Sequence, residues 1–162
     1  MKNVSVTIRI IMLPINLFFD SSALIAGIIS DKGAARAHLL LAEDRKLKIS
    51  VSDQVIIEVE RNIAKKIPKI FHVAREMIRE SNVIIYKDPS IEEVRDHSNW
   101  VDHAADVPIL VSAIKAHVDY LVTLNTKHFI NDPQVTFRSG LRIGTPGDAL
   151  SWVREQMKKT SK

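Results

Sequence analysis

The feature that most constrains this chain is a rhythm of short apolar runs alternating with longer segments of helical period. "INLFF" (15–19), "LKISV" (47–51), "NVIIY" (82–86), "DYLVTLN" (119–125) and the brief "LRIG" (141–144) read as strands. The first is apolar almost throughout, which fits a central strand buried on both faces. Ser21 or Ser22 opens a helix through "ALIAGI", and Gly33 leads into "AARAHLLLAEDRK". Ser52 or Asp53 caps "QVIIEVERNIAKK", Pro68 separates it from "KIFHVAREMIRE" (69–80), and Pro89 precedes "SIEEVRDHSNWV". "TPGDALSWVREQ" closes the pattern, with Thr145 as cap and Pro146 in the first turn. Strands alternating with helices predict an α/β fold around a mainly parallel sheet of four to five strands.

Length and composition set the outer bounds. The 162 residues, 46% hydrophobic and 26% charged, suit one full core. We expect a single domain over 15–155, with 156–162 a frayed tail and 1–14 an extension, or an edge strand through the alternating "VSVTIRI". Met12 is an alternative start to Met1. Lys2 and Arg9 ahead of an apolar run resemble a signal peptide, but Pro14 and Asn16 interrupt the run and Asp20 follows it. The run is also shorter than the roughly 20 apolar residues of a membrane span, so a cytoplasmic protein is expected. The absence of cysteine excludes disulfides, thiolate nucleophiles and cysteine-held zinc. A net charge of +4 permits a polyanionic partner without demanding one.

The placement of the acids narrows the chemistry. In "HAADVPILVSAI" (103–114), Asp106 and Pro108 head an otherwise apolar helix, and an N-cap role explains Asp106 taken alone. Asp20, however, follows the first strand directly, at the carboxyl-terminal edge where open parallel sheets bind ligands, and Asn125 follows the fourth strand at the same edge. Glu58 stands inside a helix among Val55, Ile56, Val59 and Ile63, with Arg61 and Asn62 at helical spacing. A solvated ion pair with Arg61 accounts for Glu58 alone, as a cap accounts for Asp20. Together, three carboxylates at one cleft repel unless a cation neutralises them, and an oxygen-only ligand set suits Mg²⁺ or Mn²⁺. Such an ion activates water for in-line attack on a phosphodiester.

Four pieces carry a resemblance: "FFDSSALIAGI", "SDQVIIEVERNI", "ADVPILVSAI" and "DYLVTLNTKHF", in that order between residues 15 and 152. In them the chain resembles the PIN-domain nucleases, the family that includes VapC-type toxins. The resemblance implies a PIN-like, Rossmann-like three-layer sandwich and metal-dependent hydrolysis of RNA, with Asp20, Glu58 and Asp106 as the Mg²⁺ or Mn²⁺ ligands and Asn125 beside them in the catalytic set. It also implies that Ser22 and Thr123 support Asp20 and the fourth strand. Many members carry an acid where this chain has Asn125, whose neutral oxygen can orient a metal-bound water without adding charge. Asp102 and Asp132 lie nearby in sequence but not at the matching position. If the chain is a toxin, an antitoxin should cover the cleft, its Arg or Lys entering as a surrogate cation. The alternative from another class is a PIN-like module that holds RNA or protein without cutting it.

Other residues bear on the same choice. Lys65, Lys66 and Lys69 follow Glu58, and Lys127 and His128 follow Asn125, so each group either holds phosphates or is simply solvated. His128 is a candidate acid or base, although a lone His more often packs or caps. His103 and His117 show no close His pairing of the zinc-site kind. Phe71, Trp100 and Trp152 are too scattered for a base-stacking platform and read as core or interface. No G-x-x-x-x-G-K-[ST] loop points to another phosphate chemistry. The helices over 33–46 and 69–80 present apolar faces either to the chain's own core or to a second protomer in a homodimer.

Overall fold

Leu17, Phe18 and Phe19 of β1 (Asn16–Phe19) are fully buried in the computed structural model, which describes residues 14–162. β1 pairs in parallel with β2 (Lys48–Ser52) on one side and β4 (Tyr120–Val122) on the other. β3 (Ile84–Tyr86) and β5 (Arg142–Gly144) complete an all-parallel sheet of order β3-β2-β1-β4-β5. The expected α/β architecture is therefore present, with a fifth strand that pairs fully. The sequence expectation that "VSVTIRI" adds an edge strand falls outside the described residues.

Strand order dictates the layers. The connections through α1 (Ser21–Ile29) and α2 (Ala34–Glu43), and through α3 (Asp53–Lys66) and α4 (Phe71–Glu80), step outward from β1 toward β3. The connection through α5 (Ile91–Asp96) and α6 (Val107–Lys115) returns in the opposite direction to β4, so right-handed crossover places it on the other face of the sheet. α8 (Pro146–Thr160) packs back against α2. The three layers enclose a core built from β1, β2 and β4, with Val55, Val59 and Ile63 of α3, and Leu110, Val111 and Ala113 of α6. Phe71, Trp100 and Trp152 pack against that core half-buried, as expected for residues that are not a stacking platform. Among the described residues no helix is long and apolar enough to cross a membrane.

Several boundaries differ from the sequence reading. The helix expected over 90–101 stops at Asp96, where the His97 ring bonds the Glu93 carbonyl 2.7 Å away and Ser98 and Asn99 follow with poor helix propensity. The expected strand over 119–125 narrows to three residues, because the chain bends at Leu124, just past the sheet edge. Residues 126–139, to which the sequence pattern assigns no element, hold a π turn (Thr126–Ile130) and α7 (Pro133–Ser139), the latter capped by Asp132 with Pro133 in its first turn. α8 continues past Gln156 through Thr160, its last turn carrying Lys158 and Lys159 against the negative end of the helix dipole.

The site's first acid depends on where α1 lies, and α1 is held close to α2 by Gly27. A Cβ there would stand 2.9 Å from Leu39 Cδ1 and 3.1 Å from the Ala35 carbonyl oxygen, both in a closely packed helix pair. Gly27→Val should therefore overpack the α1–α2 contact and cost about 2 kcal/mol. Urea unfolding measures this; an unchanged midpoint would show that the contact has slack.

Candidate active site

Asp20 ends β1 and caps α1, and its carboxylate is gripped from three directions. Oδ1 accepts from Ser22 Oγ at 2.6 Å and from the Ala23 N–H at 2.9 Å, while Oδ2 accepts a short hydrogen bond from the Thr123 hydroxyl. Thr123 reaches it because β1 and β4 are neighbours in register, Phe19 opposite Val122, so the next residue on each strand meets its counterpart. Ser22 Oγ also accepts from the Leu124 N–H at 3.0 Å, and Thr123 Oγ1 from the Asn125 N–H at 2.9 Å, which locks the loop after β4 to the start of α1. A carboxylate offers about four acceptor directions, so these three bonds leave one for a ligand.

Asp20 is only 7% exposed. Burial raises its carboxyl above the usual carboxylate range, the Ser22, Thr123 and Ala23 hydrogen bonds oppose that rise, and the charge of Glu58 adds to it. Glu58 thus stands close enough to be felt. It projects half-buried from α3 into a cleft of about 540 Å³ lined also by Gln54, Ile57, Arg61, Asn62, Lys65 and Asp88. The ion pair that would have explained Glu58 by itself is not formed: among the described residues, Asp20, Glu58 and Asp106 have no Lys or Arg nitrogen within 4.0 Å. Two acids that perceive each other without a basic partner suit a divalent cation, and the donor set is the hard oxygen set that Mg²⁺ or Mn²⁺ prefers.

Asp106 takes a different course from the cap reading. It occupies the N-cap position of α6 but its side chain makes no capping bond. Instead Oδ2 accepts from His128 Nδ1–H at 2.6 Å, and His103 Nδ1 lies 4.0 Å from the same oxygen. Among the described residues, the acid and imidazole groups whose ligand atoms come within 4.8 Å of one another are His103, Asp106 and His128. Asp20 and Glu58 stand outside that group. The structure therefore brings Asp20 toward Glu58, and Asp106 toward two histidines.

Asn125 joins the two sets and serves the turn. Its Oδ1, expected to face a metal-bound water, accepts from the His128 N–H at 3.2 Å as the cap of the π turn, and its Nδ2 lies 3.2 Å from His128 Nδ1. Lys65 lines the Glu58 cleft whereas Lys66, equally exposed, does not. Lys127 and His128 line a second pocket of about 280 Å³ with Asp102, His103 and Asp132. The His103–His128 approach escaped the sequence reading, which looked for His pairs close in sequence. A signal was present in the i,i+3 spacing of His103 and Asp106 and in the same spacing of Asn125 and His128.

The profile of the PIN domain matches residues 16–127. The chain belongs to the PIN domain family. Two solved structures share the fold: PAE2754 from Pyrobaculum aerophilum, 15% identical with a TM-score of 0.57, the match covering 87% of this chain and 96% of that one, and FitAcB from Neisseria gonorrhoeae, 16% identical with a TM-score of 0.51, covering 80% and 97%. No curated protein sequence matches the chain significantly. The family match spans every strand but β5 and includes Asp20, Glu58, Asp106 and Asn125.

In this PIN domain burial works against the charged form of Asp20. Asp20→Asn keeps the Ala23 and Ser22 bonds on its oxygen, and Thr123 can turn its hydroxyl to accept from the new amide. In EDTA the variant should melt a few degrees higher, equivalent to about 1 kcal/mol. Mg²⁺ should raise the melting temperature of the native protein and leave the variant unchanged, and equal responses in the two would remove Asp20 from the metal site.

Proposed function

We propose that this PIN domain is a metal-dependent endoribonuclease whose acidic cleft is built by Asp20, Glu58 and Asp106. The observation that carries the reading is the buried Asp20 carboxylate, raised toward protonation by burial and by Glu58, with no Lys or Arg in reach and one acceptor direction free. A bound Mg²⁺ or Mn²⁺ supplies an activated water and neutralises charge on the phosphodiester.

The chain's own residues supply the rest. Ser22, Thr123 and the Ala23 N–H fix Asp20 so that its free oxygen direction is constant, which limits reorganisation when the substrate arrives. Glu58, on α3, is near enough for its charge to act on Asp20 and adds the second charge. Asp106, anchored by the buried face of α6 and held by His128, is the third acid of this reading. Arg61 and Lys65, in the lining of the Glu58 cleft, and Lys127 beside His128 are placed to hold phosphates of a polyanion that otherwise meets repelling acids. His128, held by Asp106, positions the π turn rather than serving as a free acid or base.

The toxin reading fits the same surface. Ile57, 54% exposed one residue from Glu58, gives the cleft an apolar rim where a partner protein can cover it with a basic side chain in the acids. The second reading, an RNA- or protein-holding module that does not cut, draws on one observation: Asn125 stands where an acid is expected and spends its oxygen on the turn.

Cleavage of a labelled RNA pool in Mg²⁺, Mn²⁺ and EDTA separates the two. Cutting that requires metal and falls at least about a thousandfold in folded Asp20→Ala, the equivalent of about 4 kcal/mol, is expected. Well-folded protein that binds the pool and leaves it intact in both metals overturns the nuclease reading in favour of the binding module. Asn125→Asp keeps the cap on His128 and adds a charge, and it should lower the Mg²⁺ concentration needed for half-maximal cleavage.

A further inference from the structure

We propose that His103, Asp106 and His128 form a second cation site, for a divalent transition ion of the zinc, cobalt or nickel class, set apart by its nitrogen ligands from the oxygen-only acids Asp20 and Glu58. One ligand atom from each residue lies within 4.8 Å of the other two. His128 Nδ1 is 2.6 Å and His103 Nδ1 4.0 Å from the same oxygen of Asp106. A tetrahedral ion with bonds of about 2.0–2.1 Å separates its ligands by about 3.3 Å. The two contacts straddle that value, so each changes by less than about 1 Å to admit an ion.

The surroundings favour occupancy over chance contact. The two imidazoles stack, centroids 4.3 Å apart and planes 13° from parallel, and each has its Nδ1 within 4.0 Å of one carboxylate oxygen. His103 is 57% exposed and makes no hydrogen bond through its ring among the described residues, so a ligand at its Nδ1 displaces no hydrogen-bond partner there. Asp106, although at an N-cap position, makes no capping bond with its side chain, which faces the imidazoles. The pocket of about 280 Å³ beside them opens to solvent and is lined by Asp102 and Asp132, which leaves room for water or a further carboxylate in the remaining coordination positions. Lys127 shares that lining, and its exposed chain can swing away. Two imidazoles and one carboxylate suit zinc, cobalt or nickel, whereas Mg²⁺ prefers oxygen throughout.

The site has a regulatory consequence, which rests on the nuclease reading where the binding itself does not. Asp106 belongs to both sets, so an ion held between the histidines withdraws it from the acid cleft and slows cleavage.

Full-length untagged protein stripped of metal and titrated with Co²⁺ tests the binding. A visible d–d band saturating at one equivalent is expected, displaced by Zn²⁺, resistant to a large excess of Mg²⁺, and kept in Asp20→Asn. His103→Ala, at an exposed position that does not endanger folding, should weaken the binding at least about tenfold. No band, or a titration in His103→Ala that matches the native protein, overturns the site. In the cleavage assay, Zn²⁺ should inhibit the native protein at concentrations at least about tenfold lower than His103→Ala, each scaled to its own Mg²⁺ rate. Equal inhibition overturns the regulatory consequence. If no RNA is cut under any condition, the nuclease reading fails while the Co²⁺ result still decides the site.

Discussion

The contact on which the site depends is the grip of Ser22, Ala23 and Thr123 on the Asp20 carboxylate. It is where three elements meet: Asp20 ends β1, Ser22 and Ala23 begin α1, and Thr123 leaves β4. Strand order reverses at this point, since the chain leaves β1 for β2 on one side and returns to β4 on the other. The gap so created is the ligand crevice of open parallel sheets. The same grip carries a tension. Three donors favour the charged form of Asp20 while burial and Glu58 disfavour it, and burial prevails. A fold optimised for stability alone would not leave a carboxylate in that position without a cationic partner, and such conflicts mark functional positions.

The sequence yields what is local or strongly periodic. Apolar runs mark the five strands because both faces of the central ones are buried, and Ser22 is legible beside Asp20 because a hydroxyl two residues on lies within the same turn. Thr123 is different: nothing in its own segment says that β4 adjoins β1, and its role came from resemblance, not from spacing. Glu58 was open between a solvated pair and a ligand, and only the placement of Arg61 away from it decides against the pair. Residues 126–139 resist a periodic reading because a π turn and a short helix hold too few residues to show a repeat, although Asp132 and Pro133 carry a start signal.

Asp106 shows the limit most clearly. Spacing along the chain places it at the head of α6, and the helix is there, but its partner is His128, 22 residues further on. No pattern within a helix or strand encodes that meeting. It follows from β4 lying beside β1, which brings the π turn after β4 across the start of α6.

The two partners are not anchored alike, and this bears on how one carboxylate can serve two sets of neighbours. Asp106 sits on a helix whose Val107, Ile109, Leu110, Val111 and Ala113 are buried, so its backbone is fixed by packing. His128 sits on a turn held chiefly by buried Phe129, by the Asn125 cap and by Asp106 itself, and His103 precedes α6 on an exposed stretch. Adjustment to a ligand therefore falls on the histidines and on the rotamer of Asp106, with little cost in the core. In the reading proposed above, the oxygen cleft and the histidine pair draw on the same side chain, at the end of a helix fixed by packing.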